Sequence, residues 1–154
     1  MKITSIRAIP WAPDLRPDSY GVLHARNFVA VKIETDEGIT GWGDATIGPL
    51  AVAKLVEEFG AIIIGEDPSR IDYHWERLYH LNHVQGGPMQ LSAIAGIEMA
   101  LWDIKGKALG VPVYELLGGM YRDRIWTYGR WDGDTPESAV EHALAQKSTG
   151  LTAL

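Results

Sequence analysis

Four charged side chains in one predicted helix are the first residues that could do chemistry. Glu98, Asp103, Lys105 and Lys107 lie in the stretch SAIAGIEMALWDIKGKALGVPVYELLGG, residues 92–119. Carboxylates and amines placed together can transfer protons, so these residues could form an active site. The alternative is structural, because Asp103 and Lys107 have the i, i+4 spacing of a helix-surface pair, which contributes about 0.3 kcal/mol. We favour this structural interpretation, which includes contacts to a neighbouring domain, over a catalytic one.

Two other short motifs contain residues that could bind a metal ion. His80 and His83 could share one helix face as metal ligands, but the chain has no cysteine and no obvious third ligand. Asp132 and Asp134 could hold a cation through oxygen ligands, although turn and capping roles explain them more simply. The glycines of GITGWGDATIG do not fit the G-x-G-x-x-G pattern of dinucleotide-binding loops, and a hairpin strand precedes them. We therefore assign neither a metal site nor a nucleotide site within this chain.

The composition of the chain is that of a soluble globular protein. Apolar residues make up 46% and charged residues 22% of the 154 residues, so a buried core is possible and disorder is not expected. The net charge of -6 argues against a nucleic-acid surface, and the lack of cysteine excludes disulfides. No apolar run approaches the roughly 18 residues of a membrane span, and no signal-peptide core follows Met1. We therefore expect a cytoplasmic protein with no nucleic-acid partner and no membrane contact.

The elements that would position functional residues begin with a three-stranded antiparallel meander. Residues 2–10 predict the first strand, and apolar and polar side chains alternate along residues 28–34. The turn at 36–38 closes a hairpin, and residues 39–43 return as the third strand. A proline-broken stretch, residues 11–27, joins the first two strands, and long loops of this kind are usually functional or disordered.

Helices are predicted to follow the meander. The first spans residues 50–64, and Asp67 with Pro68 predicts the start of a second helix that has Asp67 as its N-cap. A third helix begins after the QGGP break at 85–88 and ends at Gly110. Its apolar residues form a stripe at helical spacing: Ile94, Ile97, Leu101, Ile104 and Ala108. Its small residues would let another element approach closely: Ala93, Ala95, Gly96 and Ala100.

A strand, a helix and a second strand are predicted at the C-terminal end. Residues 123–130 predict the first strand, and Thr135 and Pro136 predict the cap and first turn of the helix. The apolar residues 151–154 predict the beginning of the next strand. Such a unit needs a parallel sheet, and four residues of one strand cannot complete it. We therefore expect that the chain is cut within a larger domain.

The stretch at 92–119, preceded by QGGPM and followed by YRDRIWTYG, closely resembles the enolase superfamily in its mandelate racemase and muconate-lactonising branch. Within that branch it is most similar to acid-sugar dehydratases of the galactonate and mannonate dehydratase kind. KIETDEGITGWGDA and GEDPSRIDYHWERLY resemble the capping domain of the same family. The resemblance implies an α+β capping domain at 1–121, made of the three-stranded antiparallel meander plus helices. At 122–154 it implies the first βα unit and the start of the second strand of a truncated, modified TIM barrel.

The resemblance also implies a function for the parent protein. Family members abstract a proton alpha to a carboxylate with a Lys or His base, and Mg²⁺ stabilises the resulting enediolate. An acid-sugar dehydratase would then lose the β-hydroxyl as water and form a 2-keto-3-deoxy acid. A racemase or cycloisomerase of the same superfamily is one alternative, and a non-catalytic binding or oligomerisation module is another. The partner implied is a small-molecule sugar acid, and a homo-oligomer is expected.

No catalytic residue and no metal ligand is assigned on this chain, because the resemblance implies Mg²⁺ ligands on three later barrel strands, beyond Leu154. We therefore expect this chain alone to be inactive. What it would supply is two substrate-selecting loops, about 11–27 and 44–50, that close over the site. The substrate-binding candidates that the resemblance implies are Tyr20, His24 and Arg26 in the first loop, Thr46 in the second, and Arg130 and Trp131 at the end of the first barrel strand. Mannonate dehydratase-like relatives carry YGH where this chain has YGR, which argues against mannonate as the substrate.

Overall fold

The computed structural model describes residues 1–11, 28–81, 86–129 and 133–153. The chain forms two compact units, Met1–Gly119 and Met120–Leu154. Among the described residues, no helix combines the length and the apolar character that a membrane crossing needs.

The first unit contains a three-stranded antiparallel sheet in the order β1-β2-β3. Its strands are β1 (Ile3–Trp11), β2 (Phe28–Thr35) and β3 (Thr40–Ala45). Along β2, alternate side chains are buried, because a strand turns successive side chains to opposite faces of the sheet. The predicted meander is therefore confirmed, with strand ends that differ from the prediction by one or two residues.

Five helices follow the sheet among the described residues. They are α1 (Pro49–Ile63), α2 (Ile71–Tyr79), α3 (Pro88–Leu109), α4 (Val113–Leu116) and α5 (Pro136–Ser148). The helix α3 ends as predicted at Gly110, whose φ of 70° places it in the left-handed region that glycine adopts without strain. Pro112 then lies at the N-cap of α4 and cannot continue the preceding helix.

The core of the first unit lies between one face of the sheet and the helices α1, α2 and α3. It contains the inward side chains of β2 together with Val56, Phe59 and Ile63 from α1. The predicted stripe of α3 supplies the other side of the core at Ile94, Ile97, Leu101 and Ile104. Its last predicted member, Ala108, is exposed, because the final turn of α3 extends beyond the packed part of the helix and Leu109 is exposed as well.

The predicted start of α2 is wrong. Asp67 does not cap the helix, which begins at Ile71 with Arg70 at the N-cap position and without a side-chain cap. Instead, Asp67 Oδ1 accepts the Ser69 N–H at 2.9 Å, and the Arg70 N–H donates to the Asp67 carbonyl oxygen at 3.3 Å. An aspartate that bonds the backbone two residues further on closes a turn, and this local turn competes with helix initiation.

The second unit forms its helix as predicted but not its strands. Thr135 caps α5, since its Oγ1 accepts the Ser138 N–H at 3.2 Å and the Ser138 Oγ accepts the Thr135 N–H at 3.1 Å. The described residues 123–129 and 151–153 have no strand structure, so those two predicted strands are not formed there. One backbone bond joins them, from the Gly129 N–H to the Ala153 carbonyl at 2.9 Å. A strand needs a ladder of such bonds, and one bond does not provide it. The start of a barrel at 122–154 stays a prediction.

Candidate functional site

The strand ends that adjoin the two predicted substrate loops lie at the same end of the sheet, while residues 12–27 of the first loop lie outside the described part of the chain. Trp11 and Phe28, the last residue of β1 and the first of β2, are paired across the strands, and their rings stack at a centroid distance of 6.5 Å. In the same sheet, Val29 pairs with Ala45, the last residue of β3. The chain therefore enters Thr46 beside the point where residues 12–27 connect to the sheet. We call this the shared end of the sheet.

The turn that joins β3 to α1 holds the one predicted site residue that the structure describes. Thr46 is exposed and is followed by Ile47 and Gly48 with φ angles of 63° and 67°. Gly48 adopts such a left-handed backbone freely, but a β-branched residue such as Ile47 does so at a cost of about 1–3 kcal/mol. Ile47 also remains 52% exposed, so burial of its side chain does not explain this conformation.

Ser92 fastens this turn to α3. The Thr46 N–H donates to Ser92 Oγ at 2.8 Å, and the Ser92 hydroxyl donates to the Thr46 carbonyl oxygen at 2.7 Å. One side chain thus satisfies both backbone polar groups of Thr46 just after the strand ladder ends. The prediction from sequence singled out Thr46 and missed Ser92, although a serine among mostly apolar residues near the start of a helix has a hydroxyl that needs a partner.

Two of the four charged residues of α3, Asp103 and Lys107, form hydrogen bonds to the backbone at the free edge of β3. Asp103 Oδ2 accepts the Trp42 N–H at 2.8 Å and pairs with Lys107 Nζ at 2.7 Å. Lys107 Nζ also donates to the Thr40 carbonyl oxygen at 2.7 Å. Trp42 and Thr40 lie at alternate positions of β3, and both use backbone groups that point away from β2. The structural interpretation of the Asp103–Lys107 pair is therefore supported, and the contact to the strand is what sequence spacing could not show.

The backbone of α3 lies directly against β3. A Cβ atom added at Gly41 would overlap the Ala100 carbonyl oxygen, and one added at Gly43 would overlap the Gly96 carbonyl oxygen. Gly96 and Ala100 are both buried, so the close approach predicted from the small residues of α3 is confirmed at these positions. The strand and the helix consequently act as one rigid support for the turn at Thr46.

The two remaining charges of α3 lie around Trp102. Its Nε1 donates to Glu98 Oε1 at 3.3 Å, and Lys105 Nζ lies 5.1 Å from the ring centroid of Trp102. Trp102 and Lys105 also line an open depression of about 300 Å³ next to the first turn of α2, where the guanidinium of Arg70 covers the Tyr73 ring at 3.8 Å. Asp72 lies in the same depression, and its negative charge partly offsets the positive charges of Arg70 and Lys105.

A charge network occupies the outer face of the sheet. Glu34 accepts hydrogen bonds from Lys32 Nζ at 2.7 Å and from Ser5 Oγ at 2.6 Å, and Arg7 lies 3.6 Å away. These bonds, that from Lys32 first, lower the pKa of Glu34 from 4.5 to about 2. The residues pair in register across β1 and β2, so the network holds the two strands together and leaves Glu34 ionised.

Most predicted site residues lie outside the described part of the chain. These are Tyr20, His24, Arg26, Arg130 and Trp131, together with His83 and Asp132 from the metal-binding alternatives. His80, the other histidine of that pair, contacts Glu76 Oε2 at 3.1 Å. Within residues 1–11, 28–81, 86–129 and 133–153, no three His, Asp or Glu side chains are grouped so that they could hold a metal ion. The described residues therefore do not fit a metal centre.

Comparison with known proteins identifies the family. Residues 5–118 match the N-terminal domain of the mandelate racemase / muconate lactonizing enzyme family. The D-galactonate dehydratase of Variovorax paradoxus is 54% identical over 119 residues, which cover 76% of this chain and 31% of that protein. The D-galactonate dehydratase of Xanthomonas axonopodis pv. citri is 50% identical over 130 residues, 82% of this chain and 34% of that protein. The chain thus spans about a third of the length of these relatives.

A solved structure gives the same assignment. An enolase from Pantoea ananatis, crystallised with bound D-gluconate and Mg, superposes with a TM-score of 0.80 at 38% identity. The match covers 97% of this chain and 34% of that one. The three-stranded antiparallel sheet with its helices matches the N-terminal capping domain of the enolase superfamily. The chain belongs to the mandelate racemase / muconate lactonizing enzyme family of the enolase superfamily, as its N-terminal domain.

Proposed function

We propose that this chain is the N-terminal part of an acid-sugar dehydratase and that it supplies the loops that select the substrate. The observation that carries the proposal is the 54% identity with a D-galactonate dehydratase, which extends over most of the chain. The second half of the proposal is supported because the strand ends that adjoin both predicted loops lie at one end of the sheet.

The reaction proposed for the parent enzyme removes water from a sugar acid. A base takes the proton alpha to the carboxylate, the β-hydroxyl leaves with a proton as water, and the enol tautomerises to a 2-keto-3-deoxy acid. Mg²⁺ is part of this proposal, and in the parent enzyme it would supply positive charge next to the substrate carboxylate. We propose that its ligands and the base lie in the portion of the parent enzyme that corresponds to the part of the relatives that this chain does not span. The chain alone is therefore expected to show no turnover.

The role proposed for this chain is recognition of the sugar hydroxyls and carboxylate. Thr46 presents a hydroxyl at the shared end of the sheet, and a hydroxyl can both donate a hydrogen bond to a sugar and accept one from it. Tyr20, His24 and Arg26 in the first loop, with Arg130 and Trp131, are the other proposed contacts. Arginine suits a carboxylate because its planar guanidinium can donate two parallel hydrogen bonds.

Two epimeric acids test the proposal in the full-length parent protein. D-galactonate and D-gluconate, which differ in configuration at one carbon, are incubated with Mg²⁺ and with or without a chelator, and 2-keto-3-deoxy acids are measured. Chelator-sensitive product from one of them establishes a dehydratase and names its preferred substrate. If a folded full-length protein forms no product from any sugar acid of a wider panel, the dehydratase proposal is wrong, and racemase and cycloisomerase assays follow.

A binding or oligomerisation module is the second candidate, and the exposed aromatic side chains of the second unit favour it. Tyr121 and Trp126 are each 88% exposed, and Ile125 and Tyr128 are 79% and 77% exposed. Apolar surface of this kind is usually covered by another surface.

We also propose a cytoplasmic homo-oligomer as the parent protein. Light scattering of the purified chain over a range of concentrations tests oligomerisation, and a strictly monomeric chain would contradict an oligomerisation module.

A further inference from the structure

The Ser92 hydroxyl is bonded so that it fixes the backbone at Thr46 and not its side chain. It accepts the Thr46 N–H and donates to the Thr46 carbonyl, at 2.8 and 2.7 Å. The side chain of Thr46 takes no part in these two bonds and stays exposed. The bonds therefore set the direction of the chain at this residue and leave its hydroxyl free to meet a ligand.

The turn that follows needs such support. Ile47 has a φ of 63°, which a β-branched residue rarely adopts, and Gly48 continues the left-handed backbone before α1 begins. A strained residue persists only where its surroundings determine the conformation. Ile47 is half exposed, and the bonds to the preceding residue come from Ser92. The hydroxyl of Ser92 is thus the contact best placed to maintain the strain.

Ser92 is itself held in a fixed position. It lies in the second turn of α3, and further along the same helix Gly96 and Ala100 touch the backbone of β3. Asp103 adds a hydrogen bond to that strand at Trp42. The strand β3, which ends just before Thr46, and the helix α3, which contains Ser92, therefore cannot shift relative to each other without breaking several contacts.

We propose that Ser92 is a positioning residue, which holds the 46–48 turn so that the side chains of Thr46 and Ile47 face the substrate in one fixed arrangement. The inference rests on the proposed function for the identity of the ligand, a sugar acid. We call the two hydrogen bonds between Ser92 and Thr46 the clamp. The clamp does not depend on the proposed function, because both bonds lie within this chain. Ser92 touches no reacting atom and acts through Thr46.

The clamp is tested on this chain by hydrogen exchange. Ser92→Ala removes both bonds, Ser92→Thr keeps the hydroxyl, and Ser148→Ala is the matched control, since Ser148 also bonds a backbone carbonyl but lies in α5. NMR measures the exchange rate of the Thr46 amide. We expect exchange to be about tenfold faster in Ser92→Ala and unchanged in Ser148→Ala, with protection restored in Ser92→Thr. Unchanged protection in Ser92→Ala overturns the clamp.

The link to substrate is tested in the full-length protein with the same variants. Ser92→Ala is expected to raise KM for the sugar acid by about five- to tenfold with kcat within about twofold, and Ser92→Thr is expected to restore KM. A faster Thr46 exchange with an unaltered KM overturns the positioning role. If the unsubstituted enzyme turns over no sugar acid, the proposed function and the substrate part of the inference both fail, while the exchange rates still decide the clamp.

Discussion

Asp103→Ala is the substitution that most directly tests how α3 stabilises the sheet. The carboxylate accepts the Trp42 N–H at 2.8 Å and pairs with Lys107 at 2.7 Å. A hydrogen bond to a charged group contributes about 1.5–3 kcal/mol, and a helix pair adds about 0.3–0.5 kcal/mol. The side chain of Asp103 is 29% exposed, so water can partly replace it. We therefore expect the free energy of unfolding to fall by about 2 kcal/mol, near the lower end of the summed range.

A second helix pair provides the control. Lys54 and Glu57 on α1 are also 2.7 Å apart, but both side chains are more exposed and neither is bonded to a strand. Glu57→Ala is expected to cost less than about 0.5 kcal/mol, as exposed pairs do. Urea unfolding is followed by circular dichroism and by the NMR signals of Val31, a fully buried residue of β2 that reports on the first unit.

The comparison of the two variants separates the strand contact from the ion pair. If Asp103→Ala and Glu57→Ala lower the free energy of unfolding by the same amount, the bond to Trp42 contributes nothing and the reasoning is refuted. A loss confined to Asp103→Ala, together with faster exchange of the Trp42 amide, is the expected result.

Three further predictions concern other positions in the first unit. Gly41→Ala should destabilise it by about 3 kcal/mol or prevent folding, because the new methyl group would meet the Ala100 carbonyl oxygen; a stable variant in urea unfolding would contradict this packing. Ile47→Gly should stabilise the chain by about 1 kcal/mol through relief of the left-handed strain, and a lowered urea midpoint would count against it. The pKa of Glu34 is lowered to about 2 in the folded chain. Its contribution to the free energy of unfolding is therefore complete above the unfolded-state pKa of 4.5 and is lost as the pH falls toward 2. The difference in urea midpoint between the unsubstituted chain and Glu34→Gln should therefore shrink over that range, and a constant difference would refute the assignment.

Local patterns predicted the elements whose structure is decided locally. The alternation along β2 and the apolar stripe of α3 each reflect burial on one face, which a periodic sequence displays directly. Gly110 and Thr135 were identified as helix ends because their roles depend on a few neighbouring residues. The prediction that Asp67 caps α2 was wrong for the same reason. An aspartate can cap a helix or close a turn, and the neighbouring residues do not distinguish the two roles.

Interactions between distant residues could not be predicted in this way. The i, i+4 spacing of Asp103 and Lys107 indicated a pair, but their bonds to Trp42 and Thr40 join parts of the chain that are 61 and 67 positions apart. The same holds for Ser92 and Thr46, which are 46 positions apart. The described residues 123–129 form no strand for a related reason: strand formation depends on a partner strand, which no property of the segment itself supplies.

The bond between Trp42 and Asp103 has a consequence for the synthesis of the protein. All three strands leave the ribosome before α3 does, and translation adds about 5–20 residues per second. The 61 positions between the two residues therefore correspond to roughly 3–12 s, during which the Trp42 N–H lacks its Asp103 partner. An unpaired strand edge is the structure to which other nascent or misfolded chains add. A chaperone bound near the ribosomal exit would protect this chain most effectively during that interval.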